Sequence, residues 1–311
     1  MHTQPTKHLA LAIEGGGSKT NFALIDQSGE VLLRAHAGPS SKLYLDNPEI
    51  VRLLVQALEQ IEVKCMQENA SIVRVIASGP IGTEELSTLV AKTIKSPEYK
   101  FEHLPEYVVS LAVHQREFGI GLVAGTGSSC CGRSPSKRVE CCGGYGPQFG
   151  DEGSGYWIGR AAIAAVMKAE EGRAPATVLQ ANFYREFSAP SLWDLLRRTD
   201  ANGHIAVQQV AGFARFVFAA AQAGDAVALS ICEQAGHALA ALVIDVAQRL
   251  NFDGQAIPLS RTGGVFHAGA LICEPMNRAL AKHDYAFELL PIAPDPMDGV
   301  IHLIKQSMHT A

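Results

Sequence analysis

The stretch Gly143-Gly144-Tyr145-Gly146-Pro147-Gln148-Phe149-Gly150-Asp151-Glu152-Gly153-Ser154-Gly155-Tyr156-Trp157 limits what this chain can fold into more than any other. Glycines surround one acidic pair, and Ile158, Ala161, Ala162, Ala165 and Val166 then recur at helical spacing. Backbone so poor in side chains lets a ligand come close. Ser154 is a candidate N-cap for the helix, and Asp151 stands just ahead of it. A carboxylate there can take a proton or bind a hydroxyl-rich ligand. A plain surface loop with capping acids would use the same letters, so the rest of the chain has to decide.

Three further glycine turns do so. Gly15-Gly16-Gly17-Ser18-Lys19-Thr20 joins two apolar strand patterns, Leu9–Ile13 and Asn21–Ile25. It has neither Walker nor Rossmann spacing, because it leads from strand to strand. Its successive amides can still face phosphate oxygens as an anion nest. Gly125-Thr126-Gly127-Ser128 repeats the device between Ile120–Ala124 and Ser129–Arg133. Gly263-Gly264-Val265-Phe266 opens a helix, a place where backbone passes under a ring or an anion. Four such loops in this order point to a nucleotide and a polyhydroxylated acceptor.

The intervening patterns alternate strands and helices. A third strand at Glu30–Ala35 completes an antiparallel meander. A helix begins at Asn47-Pro48, a strand follows at Ile72–Ala77, and helices at Glu85–Ile94 and Tyr107–Phe118. After the hairpin arm Arg138–Cys142 come a helical excursion over 170–203 and single helices over Ile205–Ala223 and Ala226–Leu250, the latter capped by Asp225. Strand Ile257–Ser260, helix Ala268–Ala281, strand Tyr285–Leu290 and closing helix Asp298–Met308 finish the chain. This pattern predicts a two-lobed α/β protein with mixed sheets and a cleft that collects the glycine loops.

A net charge of −5 argues against nucleic acid or an anionic membrane as partner. No uninterrupted run of about 18 apolar residues predicts a membrane span. The N-terminus lacks a signal pattern, and an odd count of seven cysteines fits a reduced, cytoplasmic protein. Cys130-Cys131 and Cys141-Cys142 lack zinc or cluster spacing and read as small apolar residues on two strands.

These four loops, together with Gly159 after Ile158, resemble the N-acetylglucosamine kinase and BadF/BadG/BcrA/BcrD ATPase family, in the sugar kinase–heat-shock ATPase–actin group. The resemblance runs over most of the chain and implies the actin-like, ribonuclease H-like fold. It implies an N-terminal lobe over 1–117, with helix 298–311 packing back on it, and a C-terminal lobe over 118–297. It implies ATP-dependent phosphorylation of an amino sugar or a related small sugar. Gly15, Gly16, Gly17, Ser18, Lys19, Thr20 and Gly125, Thr126, Gly127, Ser128 would bracket the ATP phosphates and Mg²⁺, with Glu14 at the metal and Gly263 and Gly264 under the adenosine. Ser78, Thr126, Gly127, Gly143, Gly144 and Asp151 would face the sugar.

Two positions depart from the family. Its catalytic Asp, about twenty residues before the Gly-Thr-Gly, is missing, and Glu106 stands 19 residues before Gly125 in its place. Lys42 occupies the position of an Asn that meets the sugar. An ATPase that drives a protein partner, and a nucleotide or sugar sensor without turnover, stay open as alternatives. Unassigned apolar helix faces are compatible with a homodimer.

Overall fold

The computed structural model describes residues 7–17, 19–40, 48–79, 82–189, 191, 193–194, 205–292 and 295–309. The chain forms two compact units, Met1–Glu117 with Ala293–Ala311, and Phe118–Ile292.

The first unit is a five-stranded sheet with helices on both faces. Its strands are β1 (Lys7–Gly15), β2 (Thr20–Ile25), β3 (Val31–Ala37), β4 (Ala70–Ser78) and β5 (Lys100–Leu104), in the order β3-β2-β1-β4-β5. β1, β2 and β3 are antiparallel, whereas β4 and β5 run parallel to β1. Alternation sorts the side chains. Leu9, Leu11 and Ile13 enter one core with Leu54, Leu58 and Ile61 of helix α1 (Pro48–Gln67) and Leu86 and Val90 of α2 (Thr83–Thr93). Ala10, Ala12, Ala23 and Ile25 enter the other, with Val109 of α3 (Glu106–Ala112) and Met297, Val300 and Ile304 from the C-terminal helix, Pro296–His309.

The second unit repeats this topology. β6 (Gly119–Ala124), β7 (Ser128–Arg133) and β8 (Val139–Gly143) form the meander, and β9 (Ile257–Thr262) and β10 (Phe287–Leu289) are the parallel pair. Their order is β10-β9-β6-β7-β8. Helices α4 (Gly155–Glu170), α5 (Leu179–Phe187), α6 (Val207–Gly212), α7 (Ala214–Gln222), α8 (Ala226–Arg249) and α9 (Ala270–Leu280) build its core. The C-terminal helix of the first unit is α10.

Several expectations need correction. β5 went unrecognised because Lys100, Glu102 and His103 make it polar. That polarity suits an edge strand, where charge discourages pairing with another chain, and Arg74 on β4 meets Glu102 at 3.3 Å. The helix expected over Tyr107–Phe118 stops at Ala112, and Gln115 takes a left-handed φ of 55°. The single helix expected over Ile205–Ala223 is two, α6 and α7, broken at Phe213, which is fully buried against Phe183, Phe187 and Phe216. Cys131 and Cys141, expected as free thiols, are disulfide-bonded, since the hairpin register sets them directly opposite each other. Finally, α8 is long and apolar enough to cross a membrane despite the charges that interrupt its apolar run. Its Ala235, Leu239, Val243 and Val246 are buried in the second unit, as in a core helix.

Candidate active site

In the first unit the candidate residues sit where the parallel strands β1, β4 and β5 end, the usual ligand edge of an α/β sheet. Register sets His36, Asn21, Glu14, Ser78 and Leu104 abreast across five strands. Immediately beyond that row come the turn after Gly15, then Gly79, and then Pro105-Glu106.

The first turn is closed by Gly16 N–H to the Lys19 carbonyl at 2.8 Å, and the Ser40 N–H reaches the Gly16 carbonyl at 3.2 Å. The Thr20 hydroxyl donates to Gly38 at 2.8 Å and faces the protein, not a ligand. Gly79 has a φ of 113°, and a Cβ there would collide with the Gly15 carbonyl. That close approach holds the Ser78-Gly79 turn against the first glycine turn.

Glu106 is the first residue of α3, directly after β5 and Pro105. Burial, helped by the charge of Glu14, pushes its carboxyl up to about 7. Glu14 is also raised, chiefly by burial. A bond from Asn21 Nδ2 to Oε2 at 2.9 Å and the charge of Lys19 oppose that, and Asp295 reinforces it. The sequence reading missed Asn21, His36, His103 and Asp295. Asn21 had one legible signal, an amide inside an apolar strand that needs an inward partner. His103 donates to the Gly79 carbonyl, and burial lowers its pKa.

In the second unit the glycine loops are laced together. The Gly125 N–H bonds the Gly127 carbonyl at 2.9 Å. The first amides of α4, Gly155 and Tyr156, donate to the Gly125 and Thr126 carbonyls at 2.8 and 3.1 Å. A helix start thus finds partners for amides that have none within the helix. Ser154 caps α4 by accepting from Trp157 N–H at 3.1 Å, as its position predicted. Gly144 N–H donates to Ser128, and the Ser128 hydroxyl donates to the Glu152 carbonyl, at 2.9 and 2.8 Å.

Asp151 lies at the centre, 6% exposed, with a left-handed φ of 59°. Burial raises its pKa, and bonds accepted from the Ser128 and Gly146 amides oppose that rise. One carboxylate therefore ties the Gly125–Ser128 turn to the Gly143–Gly150 loop. Gly263, at φ 108°, follows β9 beside β6, and a Cβ there would strike the Ala124 carbonyl. Gly264 then opens a 3₁₀ turn, Gly264–Ala268.

The first unit thus gathers Glu14, Gly15, Gly16, Gly17, Lys19, Thr20, Ser78 and Glu106 at one sheet edge. The second gathers Gly125, Thr126, Gly127, Ser128, Gly143, Gly144, Asp151, Gly263 and Gly264. Ser18, Lys42 and Asn47 lie outside the described residues. Among the described residues, no group of three His, Cys, Asp or Glu side chains could hold a metal by themselves.

The chain is 31% identical over 301 residues to an N-acetylmuramic acid/N-acetylglucosamine kinase of Clostridium acetobutylicum, an alignment covering 95% of this chain and 97% of that one. It is 25% identical over 317 residues to an N-acetyl-D-glucosamine kinase of Dictyostelium discoideum, covering 97% and 99%. A solved structure of a candidate N-acetylglucosamine kinase from Chromobacterium violaceum matches with a TM-score of 0.73 at 20% identity, over 96% of this chain and 100% of that one. That likeness bears on fold, and the fold is the α/β, two-sheet, actin-like ATPase architecture of the sugar kinases. The model of the BadF/BadG/BcrA/BcrD ATPase family matches residues 11–283, through β1, the glycine turns and α9, and the chain belongs to that family.

Proposed function

We infer that this chain is an ATP-dependent sugar kinase whose acceptor is an N-acetylated amino sugar of the kind named for its relatives in Clostridium and Dictyostelium. The observation that carries the mechanism is Glu106, a carboxyl held at about 7 at the end of β5. A base with a pKa near working pH is half-deprotonated and can still take up a proton.

In this reading the Glu106 carboxylate removes the proton from a sugar hydroxyl. The hydroxyl oxygen attacks the γ-phosphorus, the bond to the β-phosphate oxygen breaks, and ADP leaves. In the first unit Lys19 supplies a cation for phosphate oxygens, and in the second unit the Thr126 and Gly127 amides of the turn suit them. Gly263 and Gly264 leave room for the adenosine. Asp151 faces the sugar hydroxyls while its amide bonds fix the surrounding loops.

Mg²⁺, when bound, neutralises phosphate charge. Glu14 fits such an ion. It is a hard oxygen donor beside the phosphate turn, and Mg²⁺ takes few protein ligands, keeping water and phosphate for the rest.

ADP release measured across N-acetylglucosamine, N-acetylmuramic acid, glucosamine and glucose tests this reading. N-Acetylated sugars are expected to stimulate release, and Glu106→Gln to abolish it. Tight ATP and sugar binding without turnover would replace the kinase by a sensor.

A further inference from the structure

The polar row across the first sheet does more than fill space. Glu14, Asn21 and His36 are direct cross-strand neighbours on β1, β2 and β3. Asn21 is 5% exposed, and both ends of its amide are used. Nδ2 donates to Glu14 Oε2 at 2.9 Å, and Oδ1 meets His36 Nδ1 at 2.8 Å. A carboxylate only accepts, so the amide must turn its NH₂ toward Glu14. Its carbonyl then faces His36, which must carry hydrogen on Nδ1. Each link fixes the next, outward from the centre of the sheet to an exposed ring on the edge strand. Among the described residues Glu14 Oε1 has no hydrogen-bond partner.

We propose that Asn21 and His36 are positioning residues for phosphoryl transfer, a three-strand hydrogen-bonded row that holds Glu14 in one rotamer with Oε1 free at the phosphate turn. The proposal rests on the role given to Glu14 above. A carboxylate ligand is commonly steadied by a partner on its second oxygen, and losing such a partner typically costs about ten- to a hundredfold in metal affinity or activity. Here the partner is itself held by a third residue, and neither Asn21 nor His36 needs to touch substrate.

The test compares purified Glu14→Gln, Asn21→Leu, His36→Leu, His36→Asn and the double variant Glu14→Gln/Asn21→Leu. It reads kcat, sugar KM, the Mg²⁺ concentration for half-maximal rate, and the rise in melting temperature produced by ATP with Mg²⁺. Asn21→Leu is expected to lower kcat about tenfold or more and raise the Mg²⁺ requirement, with sugar KM within about twofold. His36→Leu should do the same more weakly, and His36→Asn, whose amide can donate from nearly the same place, should restore the wild-type values. The thermal shift by ATP and Mg²⁺ should weaken in parallel. The double variant should be no worse than Glu14→Gln alone, because both changes act through one carboxylate.

Wild-type values in folded Asn21→Leu and His36→Leu, or losses that multiply in the double variant, would overturn the inference. If Asn21→Leu does not fold, the His36 pair decides the matter from the surface. Full rate in Glu14→Gln would overturn the role of Glu14 itself, and this inference with it. Loss in Glu14→Gln without loss in His36→Leu overturns only the inference.

Discussion

The two glycine turns that begin the two sheets are built alike and held differently. Each joins the first two strands of a meander, after Gly15 in one unit and after Ala124 in the other. Around the first, the acid is Glu14, the residue immediately before the turn, and among the described residues its hydrogen-bond partner is the side-chain amide of Asn21 on the next strand. Around the second, the acid is Asp151, which arrives from a loop beyond the hairpin and accepts amides of both the turn and its own loop. Helix α4 also starts on the carbonyls of the second turn. One device thus serves two ends. Among the described residues, the first turn keeps an acid with an oxygen to spare, and the second spends its acid on rigidity.

The largest expected effect concerns the base that the first unit places beyond its turn. Glu106→Gln should lower kcat by about a hundredfold to ten-thousandfold, the usual contribution of general base catalysis. In the wild type kcat should rise with pH through about 7 and level off above it, and the variant should lose that limb. A wild-type profile flat from pH 5 to 8, measured by ADP release, would remove Glu106 from the chemistry.

Next comes the contrast between the two acids. Asp151→Ala leaves the Ser128 and Gly146 amides without their acceptor and puts alanine at a left-handed φ. Together these should cost about 2–4 kcal/mol and several degrees of melting temperature. Asp151→Asn tolerates that φ and keeps one acceptor, so it should cost less. Glu14→Gln should change stability by less than about 1 kcal/mol. Calorimetry showing equal losses at both positions would erase the distinction between the turns.

A comparable structural effect is expected at Gly263. Gly263→Ala meets both an unfavourable φ and the Ala124 carbonyl, so it should destabilise the second unit by about 1–3 kcal/mol and weaken ATP binding in a thermal-shift titration. Unchanged binding would separate this turn from the nucleotide.

The last effect is one of stability against pH. The folded pKa of Glu106 lies above its ordinary value of 4.5, so the fold favours the protonated acid. That contribution is complete below about pH 4.5 and is lost as pH rises through about 7. At pH 8, Glu106→Gln should therefore be more stable than wild type by up to about 3 kcal/mol, while at pH 4 the two should be alike. An enzyme gaining stability as it loses its base would be a familiar trade-off.

Much of this is legible in the sequence. The strand–turn–strand repeats, the helix start at Ser154 and the cap at Asp225 depend on periodicity and on residues within a few positions, and these act locally. β5 was not legible, because an edge strand is defined by its neighbour β4 and carries charges that resemble a loop. Nor was the break at Phe213, where α6 and α7 part around a buried aromatic group. Glu106 could be named by its distance from Gly125, but its raised pKa comes from enclosure and from Glu14.

Local chemistry, then, was written in the sequence itself: which segments bend, which run straight, and which carry an acid beside bare backbone. Tertiary structure decided which of those acids meet which amides. Asn21 beside Glu14, and Asp151 across Ser128 and Gly146, are consequences of register and of loop return. No local rule predicts them, because a hydrogen bond needs two groups within about 3 Å and only the folded sheet brings these together.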